Sequence, residues 1–245
     1  MTILYHGPSM IDGAEIVAIA TESSANSKTG AMAQVWILRA DVPPQAASRD
    51  GRDVSICGDC PHRFNPATGK RTCYVTVFQA PRSVWAAFHR GRYARATTAA
   101  ARRAYGAGKR IRLGAYGDPA AVPAHVWEQR LEGSDGRTGY THQWAHRDPL
   151  VRANAAALRP YVMASADSIA DHQRATAAGW RTFRVRTASS PLLERERVCP
   201  ASTEAGARTE CAACRACSGT AGRGHSNITI IAHGAQARAF KEAAA

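Results

Sequence analysis

The chain has 245 residues, with 45% hydrophobic and 21% charged side chains, and 32 Lys+Arg against 19 Asp+Glu give it a net charge of +13. That composition is ordinary for a globular chain with room for one large domain or two small ones, and it excludes wholesale disorder. No Gly-X-Y or heptad period is visible, and no apolar run approaches the ~20 residues that a bilayer crossing takes. Met1 to Gly13 lacks the charged-then-apolar layout of a signal peptide, so the expected location is the cytoplasm and no membrane partner is expected.

In chain order, residues 14–20 (EIVAIAT) and 33–38 (AQVWIL) read as short buried strands joined by a polar turn over 23–30. Residues 39–72 read as loop, broken by Pro43-Pro44, Asp50-Gly51, Pro61, Pro66 and Gly69. Tyr74–Phe78 is β-branched and aromatic, which predicts a strand. Arg82–Tyr105 predicts one long Ala- and Arg-rich helix that starts at Pro81 and stops at Gly106. A βα rhythm follows. Strands are predicted at 110–113, 139–144, 161–165 and 180–186, and helices at 120–132, 149–158 and 168–178. Residues 187–225 read as loop, 228–232 as a last strand and 240–245 as a frayed end.

Alternating strands and helices imply βαβ units and a parallel sheet. A full eight-unit barrel takes ~250 residues with little loop, so the expectation is a single α/β domain over 1–245 built as a partial or compact (β/α) barrel. Its parts are N-terminal strands and a cysteine loop (14–72), βα units (73–186) and a C-terminal cysteine-rich segment with the last strand (187–235). An open doubly wound sheet is the competing fold. No G-x-G-x-x-G or Walker A motif is present to support a dinucleotide or P-loop site.

The seven cysteines fall into two groups with none between. An odd number in a reducing compartment argues against a disulfide scaffold and for metal or catalysis. Cys199, Cys211, Cys214 and Cys217 run C-x11-C-x2-C-x2-C, a set of four thiolates that suits Zn2+ or a four-iron cluster. The tight triplet is more typical of iron–sulfur ligation. Cys57, Cys60 and Cys73 run C-x2-C-x12-C, an incomplete set. Either His62, as in a structural zinc knot, or a distant residue completes it, or it leaves open the position that catalytic metals keep. His225 and His233 lie near the second group in sequence.

Residues just past the carboxyl ends of parallel strands line the site in such folds. Asp118 in GDP follows one predicted strand, and it also reads as a cap for the helix after Pro119. Thr141, His142 and Gln143 follow the next strand, and Ser165, Asp167 and Ser168 the one after. Asp118, Asp167 and His142 are the candidate catalytic residues, with His142 the possible acid/base.

NSKTG at 26–30, the cysteine loop ending CYV at 73–75, Gly117-Asp118 at a strand end and the CPA…C-x2-C-x2-C tail at 199–217 resemble, in this order, the phage "gene 88 product" family. The likeness covers roughly residues 20–235 and implies a phage context, hence a host cytoplasm, without a settled activity. Gly-Asp-Pro stands here where that family has Ser-Gly-Asp-aromatic. A more distant likeness is to radical S-adenosylmethionine (SAM) enzymes. Cys57, Cys60 and Cys73 look like a stretched relative of their cluster motif, although the C-x3-C-x2-C spacing is absent. Gly117-Asp118-Pro119 is similar to their Gly-Glu-Pro element, which contacts the SAM amino group, and the last four cysteines look like an auxiliary-cluster extension. The likeness implies an iron–sulfur cluster with SAM as co-substrate and Gly117, Asp118 and Pro119 as cofactor-binding positions, to which the strand-end residues Thr141 and Ser165 add as further cofactor-binding candidates.

The positive charge favours a phosphate-rich partner, nucleic acid or nucleotide. Arg82, Arg90, Arg92, Arg95, Arg102, Arg103, Lys109, Arg110 and Arg112 concentrate it in one stretch, interleaved with Trp85, Phe88, Tyr93 and Tyr105. Three functions fit. The first is an iron–sulfur, radical SAM-like enzyme acting on nucleic acid or nucleotides. The second is a zinc-containing barrel of the guanine transglycosylase kind, with Asp118 or Asp167 as nucleophile. The third is a non-enzymatic, zinc-stabilised nucleic-acid-binding protein.

Overall fold

The computed structural model describes residues 1–22, 26–234 and 236–243. Residues 23–25 of the expected polar turn and 244–245 of the expected frayed end lie outside the described residues. The elements run β1 (Thr2–Pro8), β2 (Glu15–Thr21), β3 (Ala33–Arg39), α1 (Pro44–Asp50), α2 (Val54–Cys57), α3 (Ala80–His89), β4 (Ala94–Arg95), α4 (Ala99–Gly106) and β5 (Arg110–Tyr116). Then come α5 (Ala124–Leu131), β6 (Gly136–Thr141), α6 (Pro149–Ala157), β7 (Met163–Ala166), α7 (Ile169–Ala177), β8 (Thr182–Arg186), β9 (Glu196–Val198), α8 (Cys211–Cys214), β10 (Asn227–Ile231) and α9 (Ala237–Ala243).

The helices begin where side chains can take up free backbone N–H groups. Thr98, Asp148 and Ser168 accept from the first turns of α4, α6 and α7. The predicted helix over Arg82–Tyr105 is two helices. The chain leaves α3 through Gly91, at φ 66°, and returns along the sheet edge as β4 beside β1 before Thr98 starts α4. Tyr74–Phe78 forms no strand, because the carbonyls of Cys73 and Val75 accept from the Arg71 guanidinium at 3.0 and 2.8 Å instead of from a neighbouring strand. The stretch 39–72 holds α1, started by Pro44, and α2, which delivers Cys57. The strands β1 and β9 were not visible as strand patterns.

All ten strands form one sheet in the order β4-β1-β2-β3-β5-β6-β7-β8-β10-β9. The β1-β2-β3 pairings are antiparallel, and every other pairing is parallel. The sheet is open, with β4 and β9 as its edges. From β3 through β8 the order never reverses, which a doubly wound sheet requires it to do. Right-handed crossovers wound in one direction put their helices on one face. Accordingly α4, α5 and α6 pack side by side. Their core holds Ile111, Leu113, Val126 and Trp127, with the Trp127 indole N–H donating to Pro119 O at 2.8 Å. Strand side chains alternate between faces, so Tyr140, Phe183, Ile228 and Ile230 face the other way, where they form a second apolar cluster with Cys199 and Cys217.

A buried ion pair holds the far edge. Arg184 on β8 meets Glu196 on β9 through two hydrogen bonds of 2.7 and 2.6 Å, and Glu196 also accepts from Leu193 N at 2.9 Å. Burial favours protonation of Glu196, but the Arg184 guanidinium outweighs it and holds the carboxyl below its ordinary value. A depressed carboxylate contributes stability that is present above its unfolded pKa and lost as pH falls through the folded one. Glu196→Gln is expected to cost about 3 kcal/mol at neutral pH, since it leaves a buried guanidinium half-paired. That deficit should shrink as pH falls below the ordinary carboxylate range and through the lowered folded-state pKa of Glu196, where the wild-type carboxylate is also neutralised. Urea unfolding of both proteins across pH measures it.

Candidate functional site

The face of the sheet opposite the helices opens into a cavity of about 490 Å³. Arg112, Gly114, Ala115 and Tyr116 of β5 line it, and so, at every second residue, do Thr138 and Tyr140 of β6 and Phe183 and Val185 of β8, with Ser165 of β7. All seven cysteines also line it, as free thiols. Of the expected site residues, Gly117, Asp118, His142, Ser165 and Asp167 line the cavity as well. Pro119 and Thr141 do not. Pro119 is buried in the short turn after β5, and the buried Thr141 hydroxyl accepts from Gln143 N at 3.0 Å, closing the turn after β6.

Asp118 is buried and accepts three hydrogen bonds. Ala120 N donates at 2.9 Å, in the capping role foreseen for it, while His142 N donates at 2.8 Å and Gln143 Nε2 at 3.1 Å. Its own N–H donates to Ile56 O at 2.6 Å. Gln143, fully buried, also donates to Cys57 O at 2.9 Å and accepts from Asp59 N at 3.2 Å. The Cys57–Cys60 turn is thereby fastened to the ends of β5 and β6. Gly58 within it sits at φ 51°, and a Cβ there would lie 2.1 Å from Gln143 Oε1. Arg63 pairs with buried Asp53 at 2.7 Å and donates to Gly58 O at 3.2 Å, holding the same turn from its other side.

Beyond the first cysteine group stand two histidines and a carboxylate. His62 Nε2 lies 2.8 Å from Asp167 Oδ1, and His142 Nε2 lies 3.1 Å from Asp167 Oδ2. His62 Nδ1 lies 2.8 Å from the Thr72 hydroxyl. Burial disfavours the Asp167 carboxylate, but hydrogen bonds from His142 and His62 prevail and hold it well below the usual range. Burial likewise opposes a charge on His142, yet Cys60 and Asp167 beside it push its pKa well above the ordinary value.

The second cysteine group lies deeper in the same cavity. Cys217 O accepts from Gly139 N in the middle of β6, and Tyr140 hydrogen-bonds the Cys217 side chain. Arg112 acts on Cys211 and Cys217, whereas Tyr116, four residues on, lies by Cys57 and Cys73. β5 bulges between these two residues, which pair with Gln34 and Trp36 of β3, so they stand about two strand positions, ~7 Å, apart along the sheet. The chain around the deeper group is held by Arg181, whose guanidinium donates to Ala216 O, Gly219 O and Ser226 O at 2.8, 2.9 and 2.5 Å. The NSKTG segment holds it from the other side, with Lys28 O and Thr29 O accepting from Cys211 N and Ala212 N at 2.9 and 3.1 Å. His233 lines the cavity, 3.3 Å from Lys28 Nζ, while His225 is exposed outside it.

Burial raises the thiols of Cys57 and Cys73, the latter against the pull of Arg71. It pushes Cys217 up to about 12. A bound cation is what makes such buried thiols ionise. Sequence reasoning missed Tyr140, Lys28 and Arg181, and counted Arg112 only in the basic stretch. Arg112 and Tyr140 stood in predicted strands, but which face would be hollow was not visible.

No protein-family model, curated protein or solved structure matches this chain.

Gln143→Ala is expected to cost about 2 kcal/mol or more, because it strands the buried groups that the amide now satisfies. The variant should melt lower, and Cys57 and Cys60 should react with a thiol-alkylating reagent faster than in the wild type while Cys217 does not. Thermal unfolding and mass mapping of the alkylated cysteines check this.

Proposed function

We propose that the protein is an iron–sulfur enzyme of partial (β/α)-barrel architecture that acts on a nucleotide or nucleic-acid segment held in the cavity on the uncovered face of its sheet. The observation that carries this reading is that both cysteine groups, more than a hundred residues apart in sequence, line one cavity. Their spacing supports iron–sulfur over zinc. A single tetrahedral zinc draws its thiolates to within about 3.8 Å of each other. Among the described residues, His62, His142 and Asp167 form the one group of three such ligands whose atoms lie within 4.8 Å, so no three of the cysteine sulfurs all lie that close to one another. A cluster spaces its thiolates because each ligates a different iron.

In this reading Cys57, Cys60 and Cys73 hold a cluster with one iron free for SAM or substrate, and Cys199, Cys211, Cys214 and Cys217 hold a closed one. Lys28, Arg71 and Arg112 offset the negative charge of such centres. Asp118 serves by fixing the loops, since its carboxylate already takes three hydrogen bonds. The same saturation counts against the transglycosylase reading, as does the engagement of both Asp167 oxygens by imidazoles. A free nucleophilic carboxylate is what that chemistry needs.

The basic stretch divides. Arg102 is buried on Leu4 O, while Arg103, Lys109 and Arg110 pair with Glu132, Glu22 and Asp135. Arg82, Arg90, Arg92 and Arg95 are exposed along α3 and β4 and are the candidate phosphate-binding side chains. No helix among the described residues is long and apolar enough to cross a membrane.

Anaerobic purification is expected to yield a brown protein with about four or more irons per chain and matching acid-labile sulfide. A colourless protein with one or two zinc ions overturns the reading. Binding to single-stranded nucleic acid should weaken steeply with salt. Replacing Arg82, Arg90, Arg92 and Arg95 by Ala should flatten that dependence, by up to about 0.7 in log–log slope for each phosphate that is no longer neutralised.

A further inference from the structure

We propose that His62, His142 and Asp167 form a separate mononuclear site for a divalent transition-metal ion, beside the first cysteine group and open to the cavity. The inference uses the cavity of the preceding reading but not the identity of what the cysteines hold. Two imidazoles and one carboxylate are the set that leaves several coordination positions free on one side of an iron-class ion. Here they come from three places in the fold: the loop after Cys60, the end of β6 and the end of β7. Their ligand atoms lie within 4.8 Å of one another.

Three features go beyond proximity. Each residue is partly open to the cavity, with side-chain exposures of 17% for His62, 19% for His142 and 21% for Asp167, so free coordination positions face a substrate rather than protein. His62 is oriented from behind by the Thr72 hydroxyl at 2.8 Å on Nδ1, which leaves Nε2 for the ion. A ligating histidine almost always has such a partner on its other nitrogen. His142 is held through its backbone by Asp118, and its ring is directed at Asp167 with Cys60 alongside. In the metal-free arrangement the carboxylate lies between the two Nε2 atoms, and an ion would replace those two hydrogen bonds with three ligand bonds. The ligand for its open positions is an oxygen donor, such as a phosphate or hydroxyl of the bound nucleotide or a water that it activates.

The test is Co2+ titration of the full chain, purified anaerobically with its cysteine-bound metal in place. The expected result is one equivalent of Co2+ with weak ligand-field bands and no strong thiolate charge-transfer band. His62→Ala and Asp167→Asn should abolish that equivalent while leaving iron and sulfide content unchanged. Thr72→Val, which removes no ligand and guards against a misfolded variant, should weaken Co2+ binding by about 10–100-fold. Undiminished Co2+ binding in all three variants overturns the proposal and leaves a hydrogen-bonded network only. A thiolate charge-transfer band that disappears in Cys60→Ser also overturns it, by assigning the ion to the cysteines. One equivalent bound through nitrogen and oxygen in a protein without iron sustains the site and defeats the iron–sulfur reading instead.

Discussion

The buried carboxylate of Asp118 is the constraint on which the site depends. A polar group out of water must be compensated by hydrogen bonds. Asp118 takes them from three places: the turn after β5, the backbone at the end of β6 and the Gln143 side chain. Gln143 then directs its remaining capacity to the Cys57–Cys60 turn. One acid thus sets the relative position of two strand ends and a cysteine loop. Because His142 N is one of its donors, it also fixes where that imidazole starts.

Single winding supplies the second constraint. With the order from β3 to β8 never reversing, helices cover one face and the other is left to line a cavity. Its apolar portion is completed by the C-terminal cysteine segment rather than by a helix layer. The two cysteine groups therefore stand at different depths, by Tyr116 and by Arg112, and not side by side at the strand ends.

The charge of +13 takes on a different meaning in three dimensions. Arg102, Arg130, Arg181, Arg184 and Arg186 are buried. Arg181 alone ties three carbonyls of the second cysteine segment. Arginine suits this work because its planar fork presents several donors at once and stays charged when buried. Part of the basic surplus is internal scaffolding, and Arg82, Arg90, Arg92 and Arg95 along α3 and β4 are among the arginines that face solvent.

Much of the βα rhythm was legible because hydrophobic period and capping residues are local. β5 to β8 and α5 to α7 fall within a few residues of their predicted places, and Ser168 marks its helix in the sequence as it does in the structure. Where local signals misled, a distant partner had intervened. Arg71 took the carbonyls that would have made Tyr74–Phe78 a strand, and β1 drew Ala94–Arg95 out of a helical run. By itself, then, the sequence determined an α/β chain with two clustered sets of thiols and polar residues after successive strands, since composition, periodicity and spacing are properties of neighbours. Only the tertiary structure decided that the sheet stays open, that the thiols share one cavity at two depths and that His62 meets His142 and Asp167. Those outcomes depend on strand order and on hydrogen bonds between residues 80 to 105 positions apart, as from Gln143 to Asp59 and from His62 to Asp167, which no local pattern encodes.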